Sequence, residues 1–94
     1  MDIASIHNHH EKAVFDAVRA MAENFPHVRD SPDMMADIAC VALNRLAPRY
    51  IRHDVDFAFF QTDRERTDSE RTIAEAVEFA FGFVQARNAM RARA

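Results

Sequence analysis

The spacing of hydrophobic residues along the chain predicts three helices. The first extends over about residues 5–24 and ends before Pro26, because a residue that precedes proline disfavours helical backbone angles. The second extends over residues 32–46. Ser31 provides an N-cap hydroxyl for it and Pro32 suits its first position. The third covers about residues 68–91, and the T-D-S-E run before it is typical of a capping box.

The second helix is predicted to be the central one. Its hydrophobic residues cover nearly the whole circumference, which is typical of a helix buried on most sides. Cys40 lies within this pattern, so we expect it to be a small buried residue and not a nucleophile. The third helix carries two hydrophobic stripes, which indicates two burial partners, one of them a possible second protomer. One stripe contains Ile73, Val77, Ala80, Phe81 and Val84, and the other contains Ala76, Phe79, Phe83, Ala86 and Met90.

Between the second and third helices the pattern changes to that of short strands. Pro48 ends the helix, and residues 50–52 and 55–61 are predicted to form a β-hairpin, because they are rich in aromatic and β-branched residues. A two-stranded hairpin is marginal alone, so it must pack on the helices or on another chain. The predicted fold is therefore mainly α: three helices with a short β-hairpin between helices 2 and 3, packed as a homodimer.

Length and charge restrict the class of protein. The 94 residues make a single domain, 1–94, that folds alone with a modest core. The net charge of −3 argues against a DNA or RNA binder, which usually carries a basic face. There is no apolar run near the roughly 20 residues that span a bilayer, and the first residues do not resemble a signal peptide. We expect a cytoplasmic protein without a membrane partner.

The sequence does not favour catalysis or a metal cofactor. The single glycine, Gly82, excludes phosphate-binding and dinucleotide glycine motifs, and within a helix it is expected to permit close packing. His7, His10 and Glu11 would share one helical face and are weak candidates for metal ligands. We therefore expect no enzyme and no cofactor.

The end of the second helix is the strongest candidate site. Asn44 and Arg45 occupy its last turn, and Arg49 and Tyr50 follow Pro48. Two guanidinium groups, an amide and a phenol suit a planar ligand that carries phosphates. A structural role is the alternative: Asn44 and Arg45 could cap the helix, and Tyr50 could belong to the core of the hairpin.

The segment that contains these residues resembles the signature of the ComFB family of late competence development proteins. Residues 37–50 read DIACVALNRLAPRY, close to the family form D-[VI]-A-A-L-A-L-N-x-L-P-P-x-Y. The family's N-terminal helix carries an Asn-x-x-Glu element, matched here by Asn8 and Glu11. Many relatives also have a C-x-C-x-x-C cluster before the Asp. Those places hold Arg29, Ser31 and Met34 here, so this possible zinc site does not carry over.

The resemblance implies a cytoplasmic, homodimeric and non-catalytic receptor for a cyclic dinucleotide. Cyclic di-GMP is the first ligand expected and cyclic di-AMP the second, with output through an unidentified regulatory protein in competence, motility or pilus-related behaviour. The nucleotide-binding residues are expected to be Asn44, Arg45, Arg49 and Tyr50, together with Asp37 and Arg52. The alternative function is a ligand-free homodimeric module that binds another protein.

Overall fold

The computed structural model describes residues 1–55 and 61–93. A 3-10 turn at Ile3–Ser5 leads into a short strand, and a second short strand follows the third helix. The elements, in chain order, are β1 (His7–Asn8), α1 (His10–Ala22), α2 (Pro26–Arg29), α3 (Pro32–Asn44), β2 (Tyr50–Ile51) and α4 (Asp63–Arg93). The predicted class, mainly helical with a small antiparallel sheet, is confirmed.

The core lies between α1, α3 and α4. α3 packs against both of the other long helices, as expected for the central helix. Side chains that are completely or almost completely buried come from all three helices, and α2 adds Val28. The largest of them are Val14, Val28, Ile38, Val77 and Val84. Because the interior consists mainly of aliphatic side chains, burial of apolar area stabilises this arrangement of helices.

The sheet differs from the predicted hairpin in its pairing partner. β2 pairs antiparallel with β1, with His7 opposite Ile51 and Asn8 opposite Tyr50. Of the strand predicted over 55–61, residues 56–60 lie outside the described residues, and Val55 is helical. The sheet therefore joins the start of the first helix to the segment after α3, a long-range contact that local strand propensity does not reveal.

Several helix boundaries differ from those predicted, and α3 ends at Asn44 and not at residue 46. α1 begins at His10 and not near residue 5, because the preceding residues form β1. The link at residues 27–30 is largely the helical turn α2. α4 begins at Asp63, where Thr62 and Glu65 form a reciprocal capping box: the Thr62 amide donates to Glu65 Oε2 (3.3 Å) and the Glu65 amide donates to Thr62 Oγ1 (3.1 Å).

The second helix is less enclosed than predicted. Ile38, Ala39 and Ala42 are buried, but Asp37 and Cys40 are exposed. The prediction of a buried Cys40 was wrong, because the side of α3 that carries it faces a surface cleft and not the core. Within the described residues, no helix combines the length and hydropathy that a membrane span requires.

Candidate functional site

A cleft lies where α3 ends and the chain turns into β2. Its volume is about 410 Å³. We call it the corner cleft; it is lined by Asn8, Glu11, Cys40, Leu43, Asn44, Leu46, Pro48 and Tyr50. Asn44 and Tyr50, two of the six predicted binding residues, therefore contribute directly to one concave surface.

Asn8 connects two of the chain segments that form the corner cleft. It is a buried polar residue with 9% of its surface exposed. Its Oδ1 accepts hydrogen bonds from the backbone amides of His10 (3.1 Å) and Arg49 (3.2 Å). Its own amide donates to Glu11 Oε2 at 3.1 Å. The Asn8 side chain thus caps the N-terminus of α1 and also binds the segment that follows Pro48 to the start of α1.

The Asn-x-x-Glu element, Asn8 and Glu11, therefore has a structural role at the start of α1. The Asn8 amide donates to Glu11 as in a capping box, with Asn8 in the position usually held by serine or threonine, but Asn8 Oδ1 accepts from the His10 amide and not from that of Glu11. The backbone bond from the His9 amide to the Arg49 carbonyl (2.6 Å) strengthens the same junction. Sequence reasoning did not include Asn8 among the site residues and considered Glu11 only as a weak candidate for a metal ligand. The capping pattern was the signal that could have placed both of them.

Asn44 and Tyr50 have different environments in the cleft. The Asn44 amide nitrogen donates to the Cys40 carbonyl (3.0 Å) and lies 3.7 Å from its sulfur, so Asn44 closes the last turn of α3. This is part of the structural role considered for the motif. Tyr50 is 70% exposed, which is incompatible with a core position in a hairpin. Its ring is available to a planar ligand.

Two predicted binding residues point toward α4 instead of the cleft. The Arg45 guanidinium lies 3.7 Å from the centre of the Phe79 ring, a close cation–π contact. Asp37 forms an ion pair with Arg87 (3.5 Å). Neither residue is part of the corner cleft lining: Asp37 lies about two helical turns N-terminal to Asn44, and Arg45 is rotated by about 100° from it.

Arg49 and Arg52 are exposed on the segment that borders the cleft. The Arg49 backbone is fixed by Asn8 and His9. Its positive charge also helps to lower the pKa of both His9 and His10, although burial is the larger cause in each case. The Arg49 side chain therefore acts electrostatically on the start of α1, next to the cleft.

The environments of the histidines at the start of the domain shift their pKa values in opposite directions: the pKa of His7 is raised, and those of His9 and His10 are lowered. His7 Nε2 lies 3.0 Å from Asp54 Oδ1, and this bond raises the pKa of His7 while it lowers that of Asp54. Burial lowers the pKa of His10, partly offset by a hydrogen bond to the Ala47 carbonyl. His9 and His10 also line a second cleft, of about 360 Å³, between α1 and α4.

The metal candidates do not share the expected geometry. His7 lies on β1 and not on a helix, so the common helical face with His10 and Glu11 does not exist. Glu11 accepts from Asn8, and His7 contacts Asp54 and the Ser5 carbonyl. In the part of the chain that the structure describes, no three His, Cys, Asp or Glu residues are grouped to hold a metal ion.

Comparison with known proteins agrees with the signature in residues 37–50. No curated protein and no solved structure gives a significant match to the chain. The family model described as late competence development protein ComFB matches residues 7–88, a range that contains the corner cleft, β1, β2 and most of α4. The chain therefore belongs to the ComFB family of late competence development proteins.

Proposed function

We propose that this competence-related protein is a non-catalytic, homodimeric cytoplasmic receptor for a cyclic dinucleotide. Cyclic di-GMP is the preferred ligand and cyclic di-AMP the second. The bound form contacts a regulatory protein, not yet identified, in competence, motility or pilus-related regulation. The supporting observation is the corner cleft, where an exposed tyrosine, an amide and a carboxylate lie together beside two exposed arginines.

The lining suits a nucleobase. Tyr50 offers an exposed ring for stacking, an interaction that tolerates any base. The Glu11 carboxylate accepts hydrogen bonds and can pair with the N1 and N2 protons of guanine, which adenine lacks. In this proposal Glu11, and not Asp37, is the carboxylate that contacts the base, because Asp37 lies outside the cleft lining and is paired with Arg87. The volume of about 410 Å³ is within the range of roughly 300–1,000 Å³ common for small-molecule sites.

The phosphates require cations, and the described residues that line the cleft include none. Arg49 and Arg52 supply them from the adjacent segment, since guanidinium groups bind phosphate through paired N–H donors. Arg45 remains on the α4 side of α3 over Phe79, so we expect it to contribute little to phosphate binding.

Calorimetry and thermal shift with cyclic di-GMP and cyclic di-AMP test the proposal. We expect at least micromolar affinity for cyclic di-GMP and a raised melting temperature, because a ligand that binds only the folded state stabilises it. Arg49→Ala should weaken binding ten-fold or more, and Tyr50→Ala should weaken it more than Tyr50→Phe, which keeps the ring. Arg29→Ala, which removes an exposed guanidinium from α2, is the matched control and should leave affinity unchanged. An absence of heat and of thermal shift at high concentrations of both ligands would reject the proposal.

A ligand-free protein-interaction module is the second candidate. The observation that favours it is the exposure of Phe79 and Phe83 on α4, at 43% and 45%. In that case no cyclic dinucleotide stabilises the fold, and Arg49→Ala leaves protein contacts intact. The same thermal-shift series separates the two functions.

A further inference from the structure

His7 contacts the segment that carries Arg52 at two points. In the sheet, His7 of β1 lies opposite Ile51 of β2. The His7 side chain extends further along the same segment, where its Nε2 lies 3.0 Å from Asp54 Oδ1. Arg52, which the proposed function assigns to the phosphates, lies between these two contacts in the sequence. One residue of β1 therefore holds both ends of the short segment that presents this arginine.

Both ring nitrogens of His7 face hydrogen-bond acceptors. Nδ1 lies 3.0 Å from the Ser5 carbonyl oxygen, and Nε2 faces the carboxylate of Asp54. A carbonyl oxygen and an ionised carboxylate only accept, and a neutral imidazole has a single N–H to donate. The imidazolium form has two, so it alone satisfies both contacts at once. We call this pair of hydrogen bonds, from the His7 ring to Ser5 and Asp54, the His7 bridge.

The charges around the His7 bridge favour its protonated form. The hydrogen bond to Asp54 is the largest cause of the raised pKa of His7, and the negative charge of Glu11 on α1 acts in the same direction. Lys12 and the bond to His7 both lower the pKa of Asp54, which keeps this carboxyl group ionised. His9 also faces Asp54, but burial lowers the pKa of His9 and favours its neutral form. The bridge is thus an attraction between one cation and one anion.

We propose that His7 is a positioning residue for the phosphate-binding segment, and that its imidazolium form holds residues 51–54 against β1. When His7 loses one ring proton, one of the two acceptors loses its donor and the His7 bridge opens. The segment that presents Arg52 is then held at Ile51 but no longer at Asp54. This inference rests on the proposed function, since the role of Arg52 comes from it. The receptor should therefore bind its anionic ligand more tightly at acidic than at alkaline pH.

The exposure of the pair sets the size of the effect. The side chains of His7 and Asp54 are 34% and 73% exposed, so water screens the attraction between them. Exposed pairs of this kind shift an equilibrium by up to about five-fold. The His7 bridge therefore adjusts the affinity for the ligand by a small factor and does not switch binding fully on or off.

A pH titration of the ligand-free full chain, followed by nuclear magnetic resonance, tests the bridge itself. The His7 ring should titrate above the ordinary histidine pKa of about 6.5, and the backbone amide signals of Ile51 and Arg52 should shift with the same midpoint. Asp54→Asn removes the charge of an exposed residue, so it should lower that midpoint and reduce the shift at Arg52. His53→Gln is the matched control, because it removes an exposed imidazole next to Asp54, and it should leave both unchanged.

Two results of this titration would overturn the proposal. One is a His7 ring that titrates at or below the ordinary histidine value. The other is a set of amide signals over residues 51–54 that does not follow His7. Neither result depends on a nucleotide, so each leaves the receptor proposal standing.

Calorimetry with cyclic di-GMP at pH 5.5 and pH 8 tests the regulation. From the lower to the higher pH, the dissociation constant should rise about three-fold more for the wild-type chain than for His7→Gln. His53→Gln should behave like the wild type. An equal change in the wild type and in His7→Gln would overturn the role of His7 in positioning Arg52, even if binding is strong. An absence of binding at both pH values would reject the receptor function and with it the regulation, whereas the titration still decides whether the His7 bridge exists.

Discussion

At the scale of single residues, Asn8 connects the helical body to the corner. Its Oδ1 accepts from two backbone amides that are far apart in the sequence, those of His10 and Arg49. A buried acceptor with two donors is costly to remove, because the donors lose their partner without gaining full access to water. The position of Arg49, and with it the edge of the corner cleft, therefore depends on Asn8.

Replacement of this side chain tests that dependence. Asn8→Ala should lower the free energy of unfolding by about 1–3 kcal/mol, since it leaves two amides unpaired and removes the cap of α1. Urea denaturation measures the change. Asn24→Ala, an exposed asparagine just after α1, is the control and should change stability by less than about 0.5 kcal/mol. Equal effects of the two substitutions would mean that Asn8 does not stabilise the junction.

At the scale of elements, side-chain caps determine where the helices start. Ser31 Oγ accepts from the Met34 amide at 3.2 Å, as predicted from the Ser-Pro-Asp run. For α4 the sequence contains two T-D-x-E runs, at residues 62–65 and 67–70, and the structure uses the first. The Thr67 hydroxyl instead donates to the Asp63 carbonyl one turn back, as is usual for threonine inside a helix.

Thr62 and Thr67 provide a matched pair of substitutions that tests where α4 begins. Thr62→Ala should destabilise the protein by about 1 kcal/mol, because it removes the acceptor for the Glu65 amide. Thr67→Ala should be close to neutral, since alanine has the higher helix propensity and the lost bond is exposed. Urea denaturation of both variants distinguishes the two possible helix starts. The reverse order of effects would place the N-terminus of α4 at the second run.

At the scale of the whole molecule, His7, His9 and His10 make the free energy of unfolding depend on pH. His7 contributes with one sign, and His9 and His10 contribute with the other. Burial lowers the pKa of His9 and of His10, so the unfolded chain binds more protons near pH 6 and these residues favour the folded state at higher pH. His7 has the opposite sign: Asp54 raises its pKa, so its contribution is complete below the ordinary histidine pKa of about 6.5 and is lost as pH rises through the folded value.

Between pH 5 and pH 7.5, His9 and His10 each contribute a rise in the unfolding free energy with pH, and His7 contributes a fall. His10→Gln should flatten the rise, and His7→Gln should steepen it. The pKa of Asp54 is lowered by His7, and this contribution disappears only as pH falls through the acidic range, outside this window. Urea denaturation at several pH values measures each slope. A steeper rise in His10→Gln, or a shallower one in His7→Gln, would contradict the assignment.

Local pattern was sufficient to locate the three long helices, although not the starts of α1 and α4 or the short helix α2. Apolar spacing located α1, α3 and α4, and the Ser-Pro-Asp run marked the first residue of α3, because helix signals arise between residues three or four positions apart. The run at residues 37–50 identified the family, and the family model matches the chain over residues 7–88.

The composition of the site depended on contacts between distant segments. The pairing of β2 with β1, and the hydrogen bond from the Arg49 amide to Asn8 Oδ1, join residues about forty positions apart. The same packing turned Arg45 and Asp37 toward α4 and exposed Cys40 to the corner cleft. Short-range periodicity predicts which residues are helical. Which side of a helix meets another helix, and which side faces a cleft, follows only when the three long helices bury their apolar surfaces against each other.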